Sequence, residues 1–579
     1  MSDHERVQED EEAATAGRVG GAASVIGVLG AGTMGAGIAQ LACRSGAVTL
    51  LHDPIPDALT RGLEKVNDGF QREAARGRLS AEEAAAGAAR LRAVEDLAAF
   101  APCELVIEAV PERLDLKHEL YRRLSEIVAA DCVLATNTSS LLVTAIAAAA
   151  GHPERVVGMH FFNPAPVMRL LEVVAGEQSS ERALALAHAT GEAMGKTVIR
   201  ASDGPGFLVN RCNRPFGLEA LRLLQERIAD VGTIDRICRM EGAFRMGPFE
   251  LMDLVGVDTG FEVSKSFFAQ SFGEPRWRPS PIAARYVAAG LHGRKTGRGY
   301  YTYPAPQERD ARAGSGPRHR AEDPDSTQLA APVRGEGVVV IAGRGRLTEE
   351  LRGAATDAGF EVRSPHDPTG GVLPALFVDC TRTPAPRQQA PAADAQRPDR
   401  RGQGQRLPQG GAHLVLCATG SLGALDPDGS AVGFHVLPPL GEGSLVELTR
   451  SRSSSPVAAA RAERFFNTLG KHVAWVGDAP GLVLGRIVCQ VINEAAFALG
   501  EGVGAARDID LGMVLGLSHP HGPFEWADTI GLDHVLAVLE ALCDEYREER
   551  YRPAPALREL VAAGRLGRAA GAGFFDYGA

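Results

Sequence analysis

Short apolar runs, each closed by glycine or a polar cluster, punctuate the first part of this chain. Val25–Leu29 is the first, and 48–51, 105–110 and Val133–Thr136 follow it. Runs this short, apolar at consecutive positions, read as parallel strands covered on both faces. Longer stretches of helical character lie between them, one at 38–45 and another opening at Pro111-Glu112-Arg113-Leu114-Asp115-Leu116-Lys117. The alternation predicts a doubly wound α/β sheet, with ligands at the carboxyl ends of its strands. Asn137-Thr138-Ser139-Ser140 closes one of those ends.

The pattern then repeats itself. Asp203-Gly204-Pro205-Gly206-Phe207 returns as Asp478-Ala479-Pro480-Gly481-Leu482, and Gly247-Pro248-Phe249-Glu250 as Gly522-Pro523-Phe524-Glu525, both 275 positions later. The offset holds from His160, which finds His435, to Asp258, which finds Asp533, so two copies of one helical domain are expected. Val338-Val339-Val340-Ile341-Ala342-Gly343-Arg344-Gly345 opens the segment between them, and His366-Asp367-Pro368 mirrors His52-Asp53-Pro54.

Composition narrows the class. At 579 residues the chain exceeds one core, and 45% hydrophobic residues supply material for several. A net charge of −11 without a basic stripe speaks against nucleic acid and against an anionic membrane as partners. Nine cysteines stand singly, with no Cys-x-x-Cys, which fits a reduced compartment and names no metal ligand. The first residues, 1–21, lack an apolar signal-peptide core, and no run of 18 apolar residues occurs, so a cytoplasmic protein is expected.

Two features carry chemistry. Gly30-Ala31-Gly32-Thr33-Met34-Gly35 lies between the first strand and its helix, and the second strand ends in Asp53. Gly30 permits the turn, Gly32 admits a pyrophosphate, Gly35 lets helix and strand approach, and the helix N-terminus, with Thr33 and Met34, faces the phosphates. Asp53 would accept hydrogen bonds from a ribose and repel a 2′-phosphate, which favours NAD over NADP. The second feature is Gly158-Met159-His160-Phe161-Phe162-Asn163-Pro164-Ala165-Pro166-Val167-Met168-Arg169-Leu170-Leu171-Glu172, a histidine and a glutamate twelve residues apart among apolar neighbours. A histidine held by a carboxylate is a general base suited to neutral pH. His435 and Glu447 repeat the spacing, but Pro438, Gly420 and Gly485 stand where the first copy has Asn163, Ser139 and Asn210. In the second nucleotide loop Thr348 replaces the third glycine, and from first strand to histidine that copy is shorter by roughly forty residues, enough to delete a helical crossover. One active site, in the N-terminal half, is therefore expected, and the second loop is not expected to bind NAD.

With these motifs, and with GAGTMGAGIAQ, EAVPERLDLK, NTSS, GMHFFNPAPVMRLLEV and DGPGFLVNR, residues 24–303 resemble the 3-hydroxyacyl-CoA dehydrogenase family. The resemblance implies a Rossmann domain and a helical domain with the substrate in the cleft between them. It implies reversible oxidation of an L-3-hydroxyacyl-CoA to the 3-ketoacyl-CoA by NAD. By position, His160 matches the family's base and Glu172 its partner. Ser139 and Asn210 match substrate-contacting residues, Asn163 falls in the same cluster, and Asp53, Glu112 and Lys117 match cofactor contacts.

The expected order is an α/β Rossmann domain (23–202), an all-α domain (203–303), a reduced Rossmann unit (337–477) and a second all-α domain (478–579). A disordered tail (1–22), a linker (304–336) and a low-complexity insertion (383–412) complete it. This plan resembles the long bacterial 3-hydroxybutyryl-CoA or 3-hydroxyadipyl-CoA dehydrogenases, which implies a place in fatty-acid β-oxidation or phenylacetate-type catabolism. No hydratase-like segment precedes the dehydrogenase, unlike the bifunctional β-oxidation subunit. In shorter members the helical domain makes a homodimer; here the second copy is expected to act as a built-in partner. Two other readings stay open at this point, a dehydrogenase of a 3-hydroxy acid or sugar acid without CoA, and a ligand-binding scaffold descended from the enzyme.

Overall fold

Apolar side chains cover both faces of the N-terminal runs, and this is why they assemble as neighbours in one sheet. The structure, a computed structural model, describes residues 21–303, 334–367, 372–383 and 412–578 apart from 428 and 442. Most of the expected tail, linker and insertion lies outside those residues. The first eight strands are β1 (Val25–Leu29), β2 (Val48–His52), β3 (Leu91–Ala93), β4 (Leu105–Glu108), β5 (Val133–Thr136), β6 (Val156–Phe161), β7 (Leu170–Ala175) and β8 (Thr197–Ser202). They form one sheet in the order β3-β2-β1-β4-β5-β6-β7-β8, parallel except where β6 meets β7. The strand expected over 105–110 stops at Glu108, whose carboxylate accepts from the Val110 N–H (2.8 Å) and turns the chain.

Among the described residues the second half repeats this sheet with one strand fewer. Its strands are β9 (Val338–Ala342), β10 (Glu361–Arg363), β11 (Leu376–Asp379), β12 (Ala412–Leu416), β13 (Val432–His435), β14 (Leu445–Arg450) and β15 (His472–Val476). The order β10-β9-β11-β12-β13-β14-β15 matches the first sheet without β3, and the one antiparallel pair, β13 with β14, falls at the same place. The helices Pro56–Ala75 and Ala81–Ala88, together with β3, fill the connection from β2 to β4, whereas the sequence between β10 and β11 is only 364–375. The protein is thus a Rossmann-type domain and an all-α domain, followed by a reduced Rossmann unit and a second all-α domain.

The chain divides into two compact units. One holds Met1–Cys212 and Glu501–Gly522; the other holds Asn213–Gly500 and Pro523–Ala579. In the first, the helix Ala506–Leu517, which belongs by sequence to the second helical copy, lies on β7 and β8. Ser202 N–H donates to Val503 O (2.8 Å), and Arg211 pairs with Glu501 (2.7 Å). In the second unit the equivalent helix, Val231–Met240, packs on β14, where Ser444 N–H donates to Met240 O (2.9 Å).

Within the second unit the helical copies meet along Arg214–Gln225 and Leu484–Gly500, the latter buried from Leu484 to Ala498. Arg486, with a fully buried side chain, donates to Glu219, to Glu226 (2.7 Å) and to the Tyr551 hydroxyl (2.7 Å). Arg486 and Glu226 are the counterparts of Arg211 and Glu501, so an arginine of each copy meets a glutamate of the other. Reciprocal contacts of this kind, i with j and j with i, also occur between the subunits of symmetric dimers. Removing the arginine takes from two largely buried carboxylates the cation that both hold. Arg486→Ala is expected to destabilise the fold by about 3–5 kcal/mol, read as a lower denaturation midpoint, whereas Arg558→Ala, at an exposed pair 3.9 Å from Glu540, should change it by less than about 1 kcal/mol.

Candidate active site

β1 ends at Gly30, which adopts φ 91° because the backbone must turn past Ala109; a Cβ there would lie 2.6 Å from Ala109 O. A Cβ on Gly35 would lie 1.7 Å from Gly30 O, so the close approach of helix and loop depends on this glycine. Gly32 differs, since a Cβ there would meet nothing within 4 Å. It is the N-cap of the helix Thr33–Arg44, and no side chain caps it, so Thr33 and Met34 open a helix whose N-terminus faces free space. Asp53 accepts from the N–H groups of Ala31 (2.8 Å) and Ile55 (3.0 Å), which fixes its carboxylate beside the loop. Room over Gly32, an uncapped helix end and a placed carboxylate fit the pyrophosphate and ribose of NAD.

The second loop departs from this form at several positions. Gly345 caps its helix at φ 93° rather than the −66° of Gly32, and Thr348 occupies the position of Gly35. Asp367 accepts from Ser364 N–H (2.7 Å) within its own turn.

His160 and Glu172 are twelve residues apart in sequence but directly opposed in the antiparallel register of β6 and β7. His160 Nδ1 lies 2.6 Å from Glu172 Oε2. The other oxygen, Oε1, accepts from the N–H groups of Leu208 (3.2 Å) and Val209 (3.0 Å), where the short helix Val209–Cys212 begins. With both oxygens accepting, Nδ1 carries the proton toward Glu172 and Nε2 keeps its lone pair. The histidine is 6% exposed, and the rings of Phe162 (4.7 Å) and Phe207 (5.8 Å) pack on it.

The other expected residues fall around the same sheet edge. Ser139 is exposed after β5, its N–H donating to Glu112 Oε1 (3.0 Å). Glu112 also receives Ser140 N–H (3.1 Å) and the Thr138 hydroxyl. Burial acts to raise its pKa, but Lys117 and these donors outweigh it and hold the carboxyl below its ordinary value. Lys117 itself is wholly buried, with both oxygens of Glu108 at 2.8 Å and Glu112 at 3.3 Å. Its structural position is thus behind Glu112. Asn163, exposed, follows the end of β6, and Asn210 lies one residue beyond the Val209 N–H that holds Glu172.

Sequence reasoning missed three contributors. Asn137 accepts from Phe161 N–H (2.8 Å) and ties β5 to the histidine's strand. Phe207 has no motif signature beyond its place in the Pro-Gly-Phe turn. The third is the helix Ala506–Leu517, where a Cβ on Gly516 would come 2.8 Å from Leu170 and 3.4 Å from Phe162, the ring that packs on His160.

The second copy keeps the register but not the contact. His435 opposes Glu447 across β13 and β14, and Glu447 accepts from Val483 and Leu484 N–H (both 2.8 Å) as Glu172 does from its own pair. The His435 ring, however, lies against Gly485, 2.2 Å from where a Cβ would stand, and its Nε2 meets His534 Nε2 at 3.3 Å. Asn210 stands at the equivalent of Gly485 in the first copy, so losing that side chain leaves the space the ring fills.

A nucleotide loop and a carboxylate-held histidine on one sheet are the equipment of a nicotinamide-dependent dehydrogenase. The sequence model of the 3-hydroxyacyl-CoA dehydrogenase NAD binding domain matches residues 25–204, and that of the family's C-terminal domain matches 206–303 and again 481–577. The chain belongs to the 3-hydroxyacyl-CoA dehydrogenase family. It is 34% identical to the 3-hydroxyadipyl-CoA dehydrogenase of Escherichia coli, over 92% of this chain and 96% of that one. A probable 3-hydroxybutyryl-CoA dehydrogenase of Deinococcus radiodurans is 40% identical, over 48% of this chain and 99% of its own. Among solved structures, 3-hydroxybutyryl-CoA dehydrogenase from Escherichia coli superimposes with a TM-score of 0.73 at 31% identity, covering 94% of this chain and 99% of that one.

The two loop glycines make separable predictions. Gly32→Ala should leave the thermal midpoint unchanged yet weaken NAD at least about tenfold by calorimetry, because its methyl enters only the ligand's space. Gly35→Ala should lose NAD binding and lower the midpoint as well. Gly516→Leu should press Phe162 onto His160 and reduce kcat while NAD affinity is kept.

Proposed function

We propose that the chain oxidises the 3-hydroxyl of an L-3-hydroxyacyl-CoA to the 3-ketone with NAD, and that 3-hydroxybutyryl-CoA or 3-hydroxyadipyl-CoA is its substrate. The observation that carries this reading is the opposed His160–Glu172 pair at the sheet edge that also holds the nucleotide loop. NAD, when bound, accepts the hydride from C3. His160 Nε2, as a neutral imidazole, takes the hydroxyl proton as the hydride leaves, and general-base transfer of this kind is worth roughly 10²–10⁴ in rate. Glu172 keeps the ring in the tautomer that exposes this lone pair and stabilises the imidazolium that forms.

Ser139 and Asn210 donate to substrate oxygens and align C3. Asp53 holds the adenosine ribose, and Glu112, braced by Lys117, lies with Asn163 on the nicotinamide side. The names of the full-length relatives, and the coverage of almost the whole chain by one of them, support the CoA thioester as substrate. The same likeness supports a place in the breakdown of fatty or aromatic acids in the cytoplasm. Among the described residues no helix is long and apolar enough to cross a membrane. The reciprocal arginine–glutamate pairs support the second helical copy as an internal partner in place of a second subunit.

The test is NADH formation from NAD with 3-hydroxybutyryl-CoA and 3-hydroxyadipyl-CoA. His160→Ala is expected to lower kcat by at least about 10³ with NAD affinity kept, and Glu172→Gln by about 10² or more through the lost tautomer. His435→Ala should leave turnover within about twofold. Full activity in His160→Ala would overturn the assignment.

A further inference from the structure

In the second unit a carboxylate from the first helical copy reaches the displaced histidine. Glu241 follows the helix Val231–Met240, His435 ends β13, and Glu447 lies on β14. One ring nitrogen of His435 and one oxygen of each carboxylate fall within 4.8 Å of one another. The three residues are 7%, 0% and 0% exposed, in that order of sequence. The Glu241 carboxylate lies against Glu447 and the Leu437 N–H, while Nδ1 of His435 has no hydrogen-bond partner. Lys471, the nearby cation, already donates to Leu440 O (2.5 Å) and to Gly443 O. We propose that Glu241, His435 and Glu447 form a buried binding site for one divalent cation of the zinc type.

Two carboxylates buried together cannot both stay charged without a compensating cation or proton. A single shared proton would join the two carboxylates and leave His435 Nδ1 bare. A divalent cation engages all three groups and balances both charges. Two carboxylates and an imidazole are donors that zinc accepts at about 2.0–2.2 Å. The donors sit on a helix end and two strands, elements that hold side chains more precisely than loops do.

His534 supplies the outer contact such a site requires. A histidine bound to metal through one nitrogen donates its other N–H to a neighbour, and His435 Nε2 lies 3.3 Å from His534 Nε2. Bound there, the cation acts structurally, clamping the first helical copy to the second sheet. No spacing in the sequence reveals the site, because Glu241 comes from the other copy.

The full-length protein is stripped with a chelator, loaded with zinc chloride, desalted and assayed by plasma mass spectrometry beside Glu241→Gln and His435→Asn. The wild type should retain one zinc per chain more than either variant, and zinc should raise its thermal midpoint by about 3 °C or more while leaving theirs unchanged. NADH formation should stay within about twofold in all three. Equal retention in wild type and variants overturns the site, as does a wild-type midpoint indifferent to zinc. Either result assigns the pair to a shared proton. Should a variant fail to fold, the stoichiometry and midpoint shift of the wild type decide alone.

Discussion

One carboxylate, placed on the antiparallel strand of each sheet and clamped by two backbone N–H groups, is the constraint on which the rest of this architecture depends. Glu172 accepts from Leu208 and Val209, and Glu447 from Val483 and Leu484. Each thereby fixes the point where the chain leaves its sheet for the helical domain. The groups it satisfies are orphan donors at the start of a buried helix, and leaving such a donor unpaired costs about 1–3 kcal/mol. The glutamate is therefore structural first. Where the facing histidine turns toward it, the same carboxylate also orients an imidazole. This explains why Glu447 persists in a copy whose histidine has swung away to Gly485.

The sequence made the scaffold legible because its signals are local. Strands β1, β4 and β5 are apolar runs, and the loop glycines are demanded by turns and close approaches that only neighbouring residues create. The repeat from His160 to Asp258 is equally visible, and within it Asp253 and Asp528 each accept two N–H groups and a tyrosine hydroxyl from the end of their own domain. What could not be read was set by distant chain. The burial of Lys117 behind Glu112 depends on Glu108 and β5. The backing of Phe162 comes from position 516, and the reorientation of His435 from what position 485 lacks. Identical His-to-Glu spacing in the two copies hid this last difference, because register survives the loss of a contact.

Duplication accounts for the exchange of helices between the copies. In each unit the antiparallel end of the sheet is covered by the equivalent helix of the other copy, Ala506–Leu517 on β7 and β8, Val231–Met240 on β14. The arginine–glutamate pairs are exchanged the same way, Arg211 with Glu501 and Arg486 with Glu226. An interface between two identical chains has this form when residue i meets j and j meets i. Where two such copies share one chain, an association of this form is intramolecular and independent of protein concentration.

Joining also frees the two sides to differ. In a symmetric dimer one position serves both sites, and a residue that fills one must fill the other. Here position 516 is glycine, and the space beside Phe162 and the His160–Glu172 pair stays open to their packing. Its counterpart, position 241, is glutamate, and it drives a carboxylate into the equivalent space beside His435 and Glu447. Neither residue suits the other place. A Cβ at 516 already crowds Leu170, while glycine at 241 would leave no group between the helix end and the displaced ring. The difference between positions 241 and 516 therefore adds to the one already made by Asn210 and Gly485 around the two histidines.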